Sequence, residues 1–167
     1  FSGPIRSAGT TITCGSIFVA DYIRKKFGYS VYDPTEEEVK RIIVEVYDYH
    51  ERITNLQYLP SENEVDYMIR NLPLQIDGEQ SEKLDVSNYK DISRIETNKL
   101  RGGVCLVTGE ALCQKAPKFW GKINKWYKEY ELENWEFLKD FVDLQKKIKA
   151  REVKKVEIEE KLKPDFT

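Results

Sequence analysis

Two helix starts are written into this chain, and they constrain its fold more than any other feature. Thr35 is followed three residues on by Glu38, and Ser61 by Glu64. At that spacing the hydroxyl accepts from the N3 backbone N–H while the glutamate reaches back to the N-cap N–H. Behind Thr35 come Val39, Ile42, Ile43, Val46, Tyr47, His50 and Ile53, a helical stripe. Glu36, Glu37 and Glu38 complement the positive end of that helix's dipole. The second box predicts a shorter helix to about Leu72, with Val65, Ile69 and Leu72 turned inward. An earlier helix is expected over residues 7–27. There Ile12, Cys14, Ile17, Phe18, Ala20 and Ile23 cover more than one face, the pattern of a buried helix. Thr10, Thr11 and Thr13 weaken its first turn, which delays its start. Gly28 is a natural stop.

The period then changes. Leu74 and Ile76 alternate with polar residues, as do Leu84 and Val86, around Asp77-Gly78. That pattern predicts a hairpin with a long loop. Residues 95–100 and 104–108 read as further strands, split by Gly102-Gly103. Pro117 restarts a helix with Phe119, Ile123, Trp126 and Tyr130 on one face. Trp135, Leu138, Phe141, Val142, Gln145 and Ile148 mark a last helix, and a short strand is expected at residues 153–158. The expectation is an α+β fold, with helices at both ends flanking a small, mostly antiparallel sheet. Residues 1–150 form one domain in this reading, and 151–167 a charged connector leading to a missing remainder.

A chain of 167 residues buries roughly two-thirds of its unfolded surface, enough for a core of its own. Charged residues make up 34 % of it, yet the net charge is only −2. Any nucleic-acid site must therefore be local. Cys14, Cys105 and Cys113 lack Cys-x-x-Cys spacing, and His50 is the one histidine, so a zinc site is not expected. The cysteines read as buried thiols in a reducing compartment. No apolar run reaches the ~20 residues that span a membrane. Two-metal phosphoryl transfer needs clustered carboxylates, typically Asp-x-Asp, and none occurs. Glu36, Glu37 and Glu38 read as a helix start, Glu159-Glu160 as a solvated tail, and His50 as a packed boundary residue. Cys105 lacks an evident base, and Cys113 reads as packing. No catalytic residue is assigned.

Three places read as candidate anion sites. Lys115, Lys118, Lys122 and Lys125 share one face of a helix anchored by Phe119, Ile123 and Trp126. Such a face suits a phosphate backbone, and it equally describes a solvated lysine stripe. In Arg101-Gly102-Gly103 the glycines allow close backbone approach and Arg101 offers a bidentate donor; a bulge or tight connection fits as well. The loop from Gly3 to Gly9 places Arg6 and Ser7 where a helix begins, and packing on a neighbouring domain is its other reading.

The chain opens on Phe1 inside a turn-and-loop stretch, so it is expected to be a piece of something larger. Gly3-Pro4-Ile5-Arg6-Ser7-Ala8-Gly9 is followed by Val19-Ala20-Asp21-Tyr22-Ile23-Arg24 and by Tyr32-Asp33-Pro34-Thr35-Glu36-Glu37-Glu38. Gln57-Tyr58-Leu59-Pro60-Ser61 and Arg70-Asn71-Leu72-Pro73 come next. The most specific block is Arg101-Gly102-Gly103-Val104-Cys105-Leu106-Val107, with Gly109-Glu110 and Gln114-Lys115-Ala116-Pro117-Lys118 behind it. Together, and in this order, these blocks resemble the N-terminal region of the large subunit of archaeal family D DNA polymerase. The closing Lys163-Pro164-Asp165-Phe166 fits more loosely. Thr10 and Ala111 depart from the pattern, which has glycine at both places.

The resemblance implies an accessory portion of a heterodimeric replicative DNA polymerase, a nucleotidyltransferase, that braces the catalytic core and contacts DNA. It implies magnesium in a catalytic site elsewhere, and no cofactor in this fragment. Its partners would be the remainder of the large subunit, the exonuclease-associated small subunit and a DNA primer–template, with no membrane. The compartment would be the archaeal cytoplasm, at the nucleoid. Two other readings stand beside it. One is a pure interaction scaffold docking the small subunit or other domains without DNA. The other is an independent small enzyme or phosphate-ligand binder using Arg6 and Arg101-Gly102-Gly103.

Overall fold

The computed structural model describes residues 9–125 and 127–163. It is a bundle of helices: α1 (Thr10–Lys26), α2 (Glu36–Arg52), α3 (Glu62–Asn71), α4 (Gly102–Leu106), a π-helical stretch (Val107–Cys113), α5 (Gln114–Ile123) and α6 (Phe137–Lys161). A 3₁₀ turn, Glu133–Trp135, precedes α6.

Both capping boxes form. The Thr35 hydroxyl accepts from Glu38 N–H at 3.2 Å and the Glu38 carboxylate accepts from Thr35 N–H at 3.2 Å. Ser61 and Glu64 repeat the exchange at 3.2 and 2.7 Å. α1 starts at Thr10, so Thr10, Thr11 and Thr13 all lie within its first turn, and it ends where Gly28 takes φ +73°. Gly28 N–H donates to Lys25 O and Tyr29 N–H to Arg24 O, a Schellman closure that the left-handed residue makes possible.

The α+β expectation is overturned. Among the described residues no strand forms; the sole pairing is an isolated antiparallel bridge between Asp85 and Lys99. Val86 N–H does donate to Asn98 O, and Leu100 N–H to Leu84 O. Glu82 N–H adds a bond to Leu100 O, but side chains of α2 take several of the other backbone groups. Arg41 donates to Thr97 O and Tyr89 O, Arg52 donates to Asp85 O, and the Asp48 carboxylate accepts from Ser87 N–H. Residues 74–101 are thus held as an irregular strap by the polar face of α2, and their backbone needs are met without a sheet.

The strand expected at 104–108 is helical too. Val104, Cys105, Leu106 and Val107 are all buried. A continuous apolar run of that length is as consistent with a buried helix as with a buried strand. Residues 153–158 continue α6, where lysines and glutamates favour helix over the β-branched residues among them. Trp126 lies outside the described residues, so the expected face of residues 119–130 is visible only in Phe119 and Ile123, both buried, and Tyr130, which is half exposed.

The centre of the bundle is the continuous run of α4, π stretch and α5. Residues 101–113 are buried without exception. Its first part packs on α2 and α3, its last on α1 and α6. Pro117 sits inside α5 without ending it. Proline lacks the N–H that an α-helix would aim at Cys113 O. Gln145 of α6 supplies a donor instead: its Nε2 reaches Cys113 O at 2.7 Å and Glu64 Oε1 at 2.8 Å. Gln145→Leu leaves both acceptors without this donor in a buried place. We expect a loss of about 1–3 kcal/mol in urea unfolding.

Trp135 fills the space between α1, α5 and α6. Its ring meets Phe119 edge-on at 5.7 Å and lies 5.5 Å from Phe18 and 6.0 Å from Phe137. Its Nε1–H donates to the buried Asp21 carboxylate at 3.0 Å.

Candidate nucleic-acid interface

α5 is fixed to the bundle by Ala116, Phe119 and Ile123, all buried. That leaves Lys118 and Lys122 exposed on its outer side, with Lys115 half buried beside them. Lys125 lies two residues beyond the end of α5 and is exposed in the turn that follows. Among the described residues, none of these four lysines is in an ion pair. The arginines differ. Arg24 binds Asp21, Arg41 binds Glu45, Arg70 binds Glu36, and Arg94 binds Glu38, each through a side-chain ion pair. These guanidinium groups are engaged within the protein, whereas the four lysines are left free for an outside anion.

Arg101 belongs to the internal set. It is 1 % exposed. Its Nε and Nη2 donate to the two oxygens of Glu45 at 3.0 and 2.8 Å, its backbone N–H adds a third bond at 2.8 Å, and Nη1 reaches Asp77 at 3.0 Å. Arg41 approaches the same Glu45 carboxylate at 3.3 Å. Burial pushes the Arg101 guanidinium down, but the bonds to Glu45, with Asp77 beside them, hold it above its ordinary value. At Arg41 burial dominates and lowers it despite Glu45. The donors of Arg101 are thus spent inside the protein in this structure.

Gly102 and Gly103 open α4 rather than joining strands, and both are buried. The close approach that Gly102 permits is to the protein itself. Its N–H donates to Ser81 Oγ at 2.8 Å, and a Cβ there would lie 2.8 Å from that oxygen and 3.2 Å from Tyr49 Cε2. Gly102→Ala is expected to cost about 1–3 kcal/mol by overpacking, read as a lowered melting temperature. Gly9 is exposed and stands at the N-cap of α1, where it makes no side-chain cap. Arg6, Ser7 and the loop from Gly3 onward lie outside the described residues, as does Pro164-Asp165-Phe166.

Sequence reasoning missed the polar face of α2. Glu38, Arg41, Glu45 and Asp48 are buried at helical spacing. Such spacing ordinarily marks a solvated face, and nothing in the local pattern signalled that a strap would cover it. Glu38 shows how the face works. Burial alone would raise its carboxyl, but hydrogen bonds from Arg94 and Tyr32 outweigh that and hold it below the ordinary range.

The remaining reactive groups are committed or inert. His50 Nδ1 accepts from Leu56 N–H at 2.9 Å and so ties the turn after α2. Burial pushes the Cys14 thiol up to about 12 and raises Cys105 and Cys113 well above their usual value, which suits packed thiols rather than nucleophiles. Among the described residues no group of three His, Cys, Asp or Glu side chains is placed to hold a metal ion. Nor is any described helix long and apolar enough to cross a membrane.

Comparison with known proteins gives a consistent result. Residues 1–144 match the family model described as DNA polymerase II large subunit DP2, N-terminal. A DNA polymerase II large subunit of Nanoarchaeum equitans is 46 % identical over 151 residues, covering 90 % of this chain and 12 % of that protein. The protein of the same name from Thermococcus kodakarensis is 40 % identical over 157 residues, covering 94 % of this chain and 8 % of its own length. The one from Pyrococcus abyssi is 42 % identical over 147 residues, or 88 % and 10 %. The chain therefore spans about a tenth of the length of the curated relatives it matches.

Proposed function

This chain belongs to the family of N-terminal regions of the DNA polymerase II large subunit, and from that premise we propose that it is an accessory, non-catalytic part of a replicative DNA polymerase. In this reading it braces the catalytic core and steadies the DNA backbone through Lys115, Lys118, Lys122 and Lys125. The observation that supports the DNA contact is the grouping of Lys118, Lys122 and Lys125, all exposed, with Lys115 beside them, along α5 and the turn that follows it. Ammonium groups along α5 and the turn behind it meet phosphates without reading sequence, as a polymerase travelling along any template requires.

The family implies magnesium-assisted nucleotidyl transfer, and the residues here do not fit a metal pair. The buried carboxylates are already engaged: Glu45 with two arginines, Glu38 with Arg94 and Tyr32, Asp48 with Ser87, Glu64 with Tyr58 and Gln145. No step of the transfer is assigned to this chain. The small subunit and the primer–template are the further partners in this proposal.

The test is a triple variant, Lys118→Glu, Lys122→Glu and Lys125→Glu. All three side chains are exposed, so the fold should be retained. DNA affinity at low salt should fall by at least about tenfold, since three attractions become repulsions. Unchanged affinity in a variant with an unchanged thermal melt would remove the lysine face from the account. It would favour the second reading, a docking scaffold, for which α1 provides the surface.

A further inference from the structure

We propose that the outer face of α1 is a packing seam for a helix of the same large-subunit polypeptide, contributed from beyond residue 167. The inference deepens the bracing role proposed above and rests on it. α1 is apolar on both sides. One side, with Cys14, Ile17 and Phe18, is buried in the bundle. The other carries Ile12, Val19, Ile23 and Phe27, which are 75 %, 55 %, 48 % and 73 % exposed. These stand at successive steps of seven, four and four residues, with Ser16 filling the gap between the first two. That is the spacing of a helix-to-helix seam. Gly15, Ser16 and Ala20 keep the floor low, and Tyr130, set edge-on to Tyr22 at 5.7 Å, walls one side of the resulting groove. From Ile12 to Phe27 the seam is about 22 Å long, room for four turns of a partner helix.

The chemistry of the seam chooses its occupant. A helix with an apolar stripe on each of two faces has a second stripe to cover besides the one packed in the bundle. Ser16 Oγ, the hydroxyl on the seam's floor, already donates to Ile12 O at 3.0 Å. An apolar seam whose hydroxyl is already engaged suits a permanent contact; transient protein interfaces are more polar, and nucleic-acid surfaces far more so. The relatives carry about nine-tenths of their length outside the part matched here. That mass is tethered to α1, and tethering gives an effective concentration on the order of millimolar, far above that of a separate partner. The fitting occupant is therefore an amphipathic helix of the same polypeptide, with its apolar residues at heptad spacing.

The experiment uses the complete large subunit, assembled with its small subunit, carrying the photo-crosslinking residue p-benzoylphenylalanine in place of Val19. A second preparation carries it in place of Glu37, which is exposed on α2 away from the seam. Peptide mapping after irradiation should join position 19 to a segment of the same polypeptide beyond residue 167, and position 37 to none. Cross-links from position 19 to the small subunit, to a second copy or to residues 1–8 would overturn the proposal, as would an absence of cross-links. The lysine variant reads DNA contact separately. Loss of DNA affinity without the expected cross-link would leave the DNA reading standing and remove this seam, and the opposite pair of results would do the reverse.

Discussion

Glu45→Ala is expected to destabilise this protein by about 3–5 kcal/mol, because it strands two buried guanidinium groups at once. Arg41 and Arg101 are 0 % and 1 % exposed, and Glu45 is the carboxylate that both of them bind. Arg101 would keep only Asp77, which is largely exposed, and Arg41 only backbone carbonyls. The loss reaches further than one ion pair. The Glu45 carboxylate also accepts the Arg101 backbone N–H, where the strap meets α4, so the seat of the central helix loosens with it. Urea unfolding checks the size of the effect. A loss below about 1 kcal/mol would mean that water reaches the site and that the cluster is a surface pair in disguise. The control is a variant that replaces all three charges with apolar residues. Removing a buried ionic cluster whole is commonly tolerated far better than removing one member.

The second large effect is expected at Trp135. Trp135→Ala should cost about 3–5 kcal/mol, the range for emptying a fully buried aromatic site. The ring is 0 % exposed and in contact with Phe18, Phe119 and Phe137, so its loss opens the meeting point of α1, α5 and α6. Trp135→Phe separates packing from hydrogen bonding. It retains much of the ring but removes the donor to Asp21, which then keeps Arg24 as its partner at 2.7 Å. The phenylalanine variant should therefore lose roughly 1–3 kcal/mol, mostly from the lost hydrogen bond and the smaller ring. Equal losses in the two variants would show that the indole N–H, not the ring, holds this junction.

The sequence spoke clearly where the physics is local. Thr35 with Glu38, and Ser61 with Glu64, fix two helix starts within a few residues, and both form as read. Gly28 closes α1 because a left-handed residue is needed there. What failed was non-local. Val104 to Val107 carries no periodicity that separates a buried helix from a buried strand, and contact with α1, α2 and α3 decides between them. The alternation at Leu74, Ile76, Leu84 and Val86 is real. The chain there nonetheless forms a strap, since Arg41, Asp48 and Arg52 claim its backbone groups. Arg101 looked like a free donor because its partner lies 56 residues upstream on another helix. The lysine face was legible in spacing, and Lys118 and Lys122 stand exposed on α5 as that spacing implies. The exposed side of α1 was not. Apolar residues on more than one face read as a buried helix, and that held only for Cys14, Ile17 and Phe18; Ile12, Ala20 and Ile23 are exposed.

In the proposed function a chain of net charge −2 meets DNA through one local set of lysines. The most direct test is the affinity of the 167-residue protein for primer–template and single-stranded DNA across a salt series. Four lysine–phosphate contacts predict a log–log slope of about −3 to −4 on the duplex, and a shallower one on the single strand. The lysine-to-glutamate variant should flatten both. A slope near zero, or no binding at low salt by the folded protein, would contradict the account and leave this region as a scaffold that DNA does not touch.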